Sequence, residues 1–229
     1  MVALLCVLLA ATLSALALGA LRGTLGDRDL SSAWPWPWPW PTSPSPSSSK
    51  SSAFIYPFLY PSYSQCENVW RRNILQQQDI CAVGCFLTSI SMGLAGRDIT
   101  LPPNNSTINP AALNSWLRQQ TDPPGYVATD VLNTPVLTRL SPRISLGSDY
   151  MHKKNDLSPS AVIALLKQGK VVLANVRHGQ HFVLVVGFPA RGAPYSNSTA
   201  FAVQDPAHFQ SSYTYSSIVG WRVFTIAAS

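Results

Sequence analysis

With 229 residues the chain is long enough for one domain of ordinary size, and 46% hydrophobic residues supply a sizeable core, which excludes wholesale disorder. Charged residues make up only 11%, against a usual share of about 25%. The 16 Lys and Arg against 10 Asp and Glu give +6, yet no basic block exceeds Arg71-Arg72 or Lys153-Lys154, so no nucleic-acid partner is expected.

Residues 2–21 are apolar apart from Thr12 and Ser14. A stretch of this kind is either a secretory signal peptide or a membrane anchor, and small residues around Ala15, Ala17 and Ala20 offer cleavage points. Residues 1–20 are therefore read as a signal peptide, with an anchor over 2–21 as the alternative. The remainder is expected outside the cell or in an endomembrane lumen. Residues 21–53 form a low-complexity linker, in which Trp34 to Trp40 alternate with proline before a Ser/Pro run. Alternating proline favours polyproline II, a stiff spacer whose tryptophans offer a contact for a cell surface or wall.

From residue 54 the composition turns globular, and one domain is expected over 54–229. A helix is predicted from Gly84-Cys85 through Met92, stopping at Gly96. A second takes Asn109 as its cap and Pro110 in its first turn, with Ala112, Leu113, Trp116 and Leu117 at helical spacing. A third starts at Ser158-Pro159, carries Val162, Ile163, Leu165 and Leu166, and ends at Gly169. Strands are predicted at Val171–Val176, His181–Gly187, Phe201–Asp205 and Ile218–Ile226. Helices first and strands last indicate an α+β fold.

A nucleophilic cysteine needs a base within reach and donors for the developing oxyanion. Cys85 stands at an expected helix start, where free N–H groups favour a thiolate. His181 opens a very apolar strand, and Asp205 ends the next, placed to orient an imidazole. Singly each has a plain structural reading: a buried small hydrophobe, a surface histidine, an Asp-Pro turn. Their order and their places at element ends favour the joint one.

The segment Gly84-Cys85-Phe86-Leu87-Thr88-Ser89-Ile90-Ser91-Met92 resembles the nucleophile helix of the double-glycine-leader, bacteriocin-processing cysteine peptidases (family 39), and more closely their free-standing 39-like branch. Ser64-Gln65 with Trp70 resembles that branch's entry motif, although Glu67-Asn68 stands where relatives often carry Asp-Pro. Asn109 to Leu117 is similar to its second helix, and Gly125-Tyr126 to the turn beyond. Gly179 to Gly187 is similar to its histidine strand, and Gln204-Asp205-Pro206 to its aspartate turn. The resemblance spans about residues 62 to 226.

It implies a papain-like fold, in which a helical part carrying the thiol packs on a C-terminal antiparallel sheet carrying the base. Cys85 is then the nucleophile, His181 the general base and acid, Asp205 the orienting group and Gln65 the oxyanion donor. Gln76, Gln77 and Gln78 remain rival donors, and His178 a rival base. The implied activity is that of a secreted or tethered cysteine peptidase, a monomer acting on a peptide or protein, with no metal or cofactor required. A non-catalytic papain-like binding module on the Trp/Pro stalk is one alternative. An amidase or transglutaminase-like acyl transferase is the other.

With Cys6 in the leader, an oxidising compartment leaves three cysteines. Catalysis requires Cys85 free, so a Cys66–Cys81 disulfide is expected. Asn104, Asn105 and Asn197 each begin an Asn-x-Ser/Thr triplet in loop-like surroundings and are candidate glycan sites.

Overall fold

A computed structural model of the chain describes residues 53–148 and 150–228. The apolar leader, the Trp34–Trp40 segment and all of the linker but Ala53 lie outside the described residues. Among the described residues no helix is long and apolar enough to cross a membrane.

In chain order the elements begin with β1 (Phe54–Ile55), α1 (Ile80–Val83) and α2 (Cys85–Ala95). The hairpin β2 (Thr100–Leu101) and β3 (Ser106–Thr107) precedes α3 (Pro110–Arg118), and a second hairpin follows from β4 (Tyr126–Val127) and β5 (Val131–Leu132). Then come β6 (Ile144–Ser145), β7 (Met151–Lys153) and α4 (Pro159–Lys167). The last part is strand-rich: β8 (Val171–Val176), β9 (His181–Pro189), β10 (Ala200–Gln204), β11 (Ser212–Thr214) and β12 (Gly220–Ile226).

The main sheet runs in the order β11-β10-β9-β8-β12-β6, with β1 added to β9 and β7 to β12. Its pairings are antiparallel. The fold is α+β, as the order of elements predicts.

The central strands are apolar on both faces, because each face meets helices. In β8, Val171 and Leu173 join the core formed with α2 and α3, whereas Val172, Ala174 and Val176 join the core under α4. Leu184 and Val186 of β9 face the first core, and Val183 and Val185 the second. This period-2 split explains why both strands read as unbroken apolar runs.

Local chemistry sets the helix ends. Asn109 Oδ1 accepts from Ala112 N at the start of α3, and Ser158 Oγ accepts from Ala161 N at the start of α4, each cap followed by proline. Gly169, at φ +77°, closes the turn after α4. Three strands differ at their limits from expectation: β9 runs on to Pro189 and β10 starts one residue earlier, at Ala200. Asp205 falls just beyond β10, and Ile218 lies in the exit of a short 3₁₀ turn, so the last strand begins at Gly220.

Helix α2 is the buried one. Leu87, Ile90, Met92 and Leu94 are all but inaccessible, and burying each such side chain stabilises the fold by about 1.5–3 kcal/mol. Gly93 lets the helix lie close on β8, since a Cβ there would come within 2.5 Å of Val171 Cγ1. Ser89 Oγ donates to the carbonyl of Phe182 over 3.0 Å, tying the helix to β9 one residue past His181. The start of α2 and the start of β9 are thus held side by side.

Candidate active site

Gly84 sits between α1 and α2, and any side chain there would collide with the Ile80 carbonyl. It provides no side-chain cap, so Cys85 begins α2 with open backbone N–H groups around it. Cys85 is half-buried and is the free cysteine among the described residues.

His181 and Asp205 are both 5% exposed. His181 Nε2 is 2.8 Å from Asp205 Oδ1, which leaves Nδ1 as the ring nitrogen available to a thiol. Burial works against the charged imidazole, but hydrogen bonding from Asp205 and then Cys85, with their charges, outweighs it and raises the pKa to about 9. Burial likewise works against the Asp205 carboxylate. His181, the Ala207 N–H and the Tyr213 hydroxyl together hold its pKa below the ordinary value.

Two of those supports were not legible in the sequence. Tyr213 donates its hydroxyl to Asp205 Oδ2 at 3.0 Å, and Ala207 N donates to Oδ1 at 2.9 Å. Asp205 is therefore bound on both oxygens. Burial and the neighbouring carboxylate push the Tyr213 phenol up to about 12, so it remains a donor. Tyr213 lies on a three-residue strand, too short for alternation to reveal it; its one signal is an aromatic residue eight positions after the Asp-Pro turn.

Gln65 reaches the site from the chain's entry segment. Its backbone N–H donates to the Pro206 carbonyl at 2.8 Å, which fixes it beside the aspartate turn. Its Nε2 donates to the Cys81 carbonyl at 2.6 Å, leaving one amide hydrogen over, while Oε1 is buried with no partner among the described residues. Cys81 is disulfide-bonded to Cys66 with a Cα separation of 4.3 Å, as the cysteine count predicts.

The rivals lie elsewhere. The backbone N–H groups of Gln76, Gln77 and Gln78 surround the Asp130 carboxylate, and none of the three lines the cavity that holds Cys85 and His181. His178 is exposed on the turn before β9 and lines neither cavity at the thiol. Asn104, Asn105 and Asn197 are exposed. Among the described residues no three His, Cys, Asp or Glu side chains converge as a metal site would require.

Two hollows meet at Cys85. The first, of about 500 Å³, holds Gln65, His181, Arg177 and Phe209 in its wall. The second, of about 530 Å³, is mostly apolar, with Leu75, Val83, Phe86, Val131, Leu132 and Phe182 among its lining. Its two charges are already engaged. Asp130 is held by the glutamine N–H groups, and Arg222 Nη1 donates to the Trp221 carbonyl at 2.9 Å.

The turn into β9 is strained. Arg177 and His178 have φ of 52° and 58°, a left-handed region that costs an L-residue about 1–2 kcal/mol, and Gly179 follows at 90°. The Arg177 guanidinium lies 4.2 Å from the centre of the Phe209 ring, which meets His181 edge-on at 5.4 Å.

Comparison with family models, with curated proteins and with solved structures finds no match to this chain in any of the three.

Proposed function

We propose that this chain is a papain-like cysteine peptidase that hydrolyses peptide bonds through Cys85, His181 and Asp205. One observation carries the reading. Three polar side chains from three separate segments, Gln65, Cys85 and His181, line one cavity, and a fourth, Asp205, is hydrogen-bonded to His181 from behind its wall. A buried histidine and aspartate bonded to each other are uncommon in a core, and perturbed titration concentrates at working sites.

In the reaction the Cys85 thiolate attacks the substrate carbonyl, forming the S–C bond and an oxyanion. The remaining amide hydrogen of Gln65 and the Cys85 N–H receive that charge. His181 delivers its proton from Nδ1 to the leaving nitrogen, the C–N bond breaks, and the acyl group stays on sulfur. Water then attacks the thioester and gives a proton to His181, the S–C bond breaks, and the acid leaves with the thiolate and the charged imidazole restored. Asp205 holds the ring throughout and stabilises its charged form.

The proton donor stands on the side where the amine departs. The hollow containing His181 therefore takes the leaving part of the substrate, and the apolar hollow on the far side of Cys85 takes the acyl part. A bulky apolar residue before the cut is the expected preference.

A mixed peptide library, read by mass spectrometry with the parent chain and Cys85→Ala, tests the proposal. Cleavage by the parent that falls by several orders of magnitude in Cys85→Ala is the expected result. Equal turnover in both would overturn it. Adding a primary amine separates hydrolysis from acyl transfer, because a transferase would yield amine-capped products.

A further inference from the structure

The wall of the His181 hollow holds one group that hydrolysis does not use. Arg177 is its single permanently charged side chain, among neighbours such as Ser64, Gln180, Ala207 and Phe209 that carry no charge. Asp205 stands behind His181, with both oxygens occupied. Among the described residues no carboxylate pairs with the Arg177 guanidinium, which rests on the Phe209 ring instead.

The backbone adopts an unfavourable form to put it there. Arg177 and His178 are left-handed in succession, and Gly179 follows at a φ suited to glycine. Strain of this kind is kept where the surrounding structure uses it. A guanidinium held by stacking on an aromatic face keeps its forked N–H donors for a planar anion, and a carboxylate matches that fork.

We propose that Arg177 is an anion subsite that receives a substrate carboxylate on the leaving-group side of the scissile bond. Its orientation rests on the peptidase reading, in which His181 marks the departing amine. The carboxylate belongs either to an acidic side chain just past the cut or to the free C-terminus of a short leaving peptide. Both present the same planar anion.

The test uses the full chain and four peptides of one sequence with a bulky apolar residue before the cut. They carry Asp or Asn two positions after it and end there, each as free acid or as amide. The parent chain is expected to favour carboxylate-bearing peptides by about tenfold in kcat/KM at low salt, the scale of one charge-assisted hydrogen bond. High salt should shrink that preference. Arg177→Gln should reduce it to within about twofold, and Arg177→Lys should restore part of it. The Asp arm and the free-acid arm tell side chain from C-terminus.

A second readout does not depend on hydrolysis. Cys85 displaces iodide from either iodoacetate or iodoacetamide, and the ratio of the two rates reports the positive field at the thiol. That ratio should fall several-fold in Arg177→Gln. If peptides are cut but the parent shows no preference for carboxylates, or Arg177→Gln keeps the preference intact, the subsite is overturned while the peptidase reading stands. If no peptide is cut, the alkylation ratio decides. A fall in Arg177→Gln keeps the anion subsite and sinks the peptidase reading, whereas an unchanged ratio overturns the subsite as well.

Discussion

Tyr213 donates its hydroxyl to Asp205 Oδ2 from 3.0 Å, reaching across from the strand next to the one that Asp205 follows. Since Asp205 Oδ1 faces His181, the phenol fixes the rotation of the carboxylate about its Cβ–Cγ bond. Tyr213 is a positioning residue in the proposed reaction, acting through Asp205 on the imidazole.

Tyr213→Phe removes that hydroxyl with little change in volume. It is expected to lower kcat by about tenfold, the cost of one hydrogen bond to a charged group, with KM nearly unchanged. The phenol also helps hold the Asp205 pKa down. Without it the carboxylate protonates at higher pH, so the acid limb of the kcat profile should move to higher pH. A merely structural role would reduce the amount of folded protein and leave that limb in place.

The alkaline side follows from His181, whose folded pKa of about 9 is raised above its ordinary 6.5. A group raised on folding adds stability that is fully present below its unfolded pKa and lost as pH rises through the folded one. The stability contributed by His181 should therefore fall as pH rises from 6.5 to about 9, whereas activity, which needs the charged ring, should hold to about pH 8 and decline through about 9. In Asp205→Asn the largest support of the charged ring is gone, and the alkaline limb should shift toward neutral pH. Thermal denaturation and kcat measured across pH 6–10 check both statements.

The sequence made the helices and central strands legible because their signals are local. Asn109-Pro110 and Ser158-Pro159 announce helix starts, and the apolar runs around Val171 and His181 announce buried strands. Cys85 and His181 could be singled out because each opens an element whose interior is plainly core. What could not be read were contacts between short, weakly patterned segments: the Tyr213–Asp205 hydrogen bond, the Asp130 carboxylate within the glutamine loop, and Phe209 between Arg177 and His181. Each links residues whose own stretch of chain has no period long enough to betray a direction. The oxyanion donor was ambiguous for the same reason. Four glutamines precede Cys85, and the turn that returns Gln65 to the site is set by its bond to Pro206, far along the chain.

The Cys66–Cys81 bridge closes a loop spanning 15 residues, which in the chain-entropy model stabilises the fold by about 3 kcal/mol. Its second effect is local, because the Cys81 carbonyl accepts the Gln65 amide. Replacing both cysteines by serine should lower the midpoint of denaturation and, separately, reduce kcat under conditions where the variant is fully folded. Alkylation without prior reduction should mark Cys85 and spare Cys66 and Cys81. Labelling of all three in unreduced protein would refute the bridge.

The four upstream glutamines give the sharpest separation of roles. Gln65 is 7% exposed and lines the cavity with Cys85 and His181, with one amide hydrogen uncommitted after the bond to Cys81. Gln76, Gln77 and Gln78 contribute their backbone N–H groups to Asp130, bonds that alanine at these positions keeps, although Gln78 also bonds it through its side chain. Removing one oxyanion donor typically costs about 10²–10³ in kcat. Gln65→Ala should fall in that range with KM little changed, because the lost bond forms to the oxyanion rather than to the ground-state carbonyl. Alanine at positions 76, 77 and 78 together should leave kcat within about twofold of the parent, as surface substitutions usually do. Steady-state kinetics on one peptide decides the matter: a triple variant as damaged as Gln65→Ala would move the donor to the glutamine loop and out of the cavity that holds the thiol.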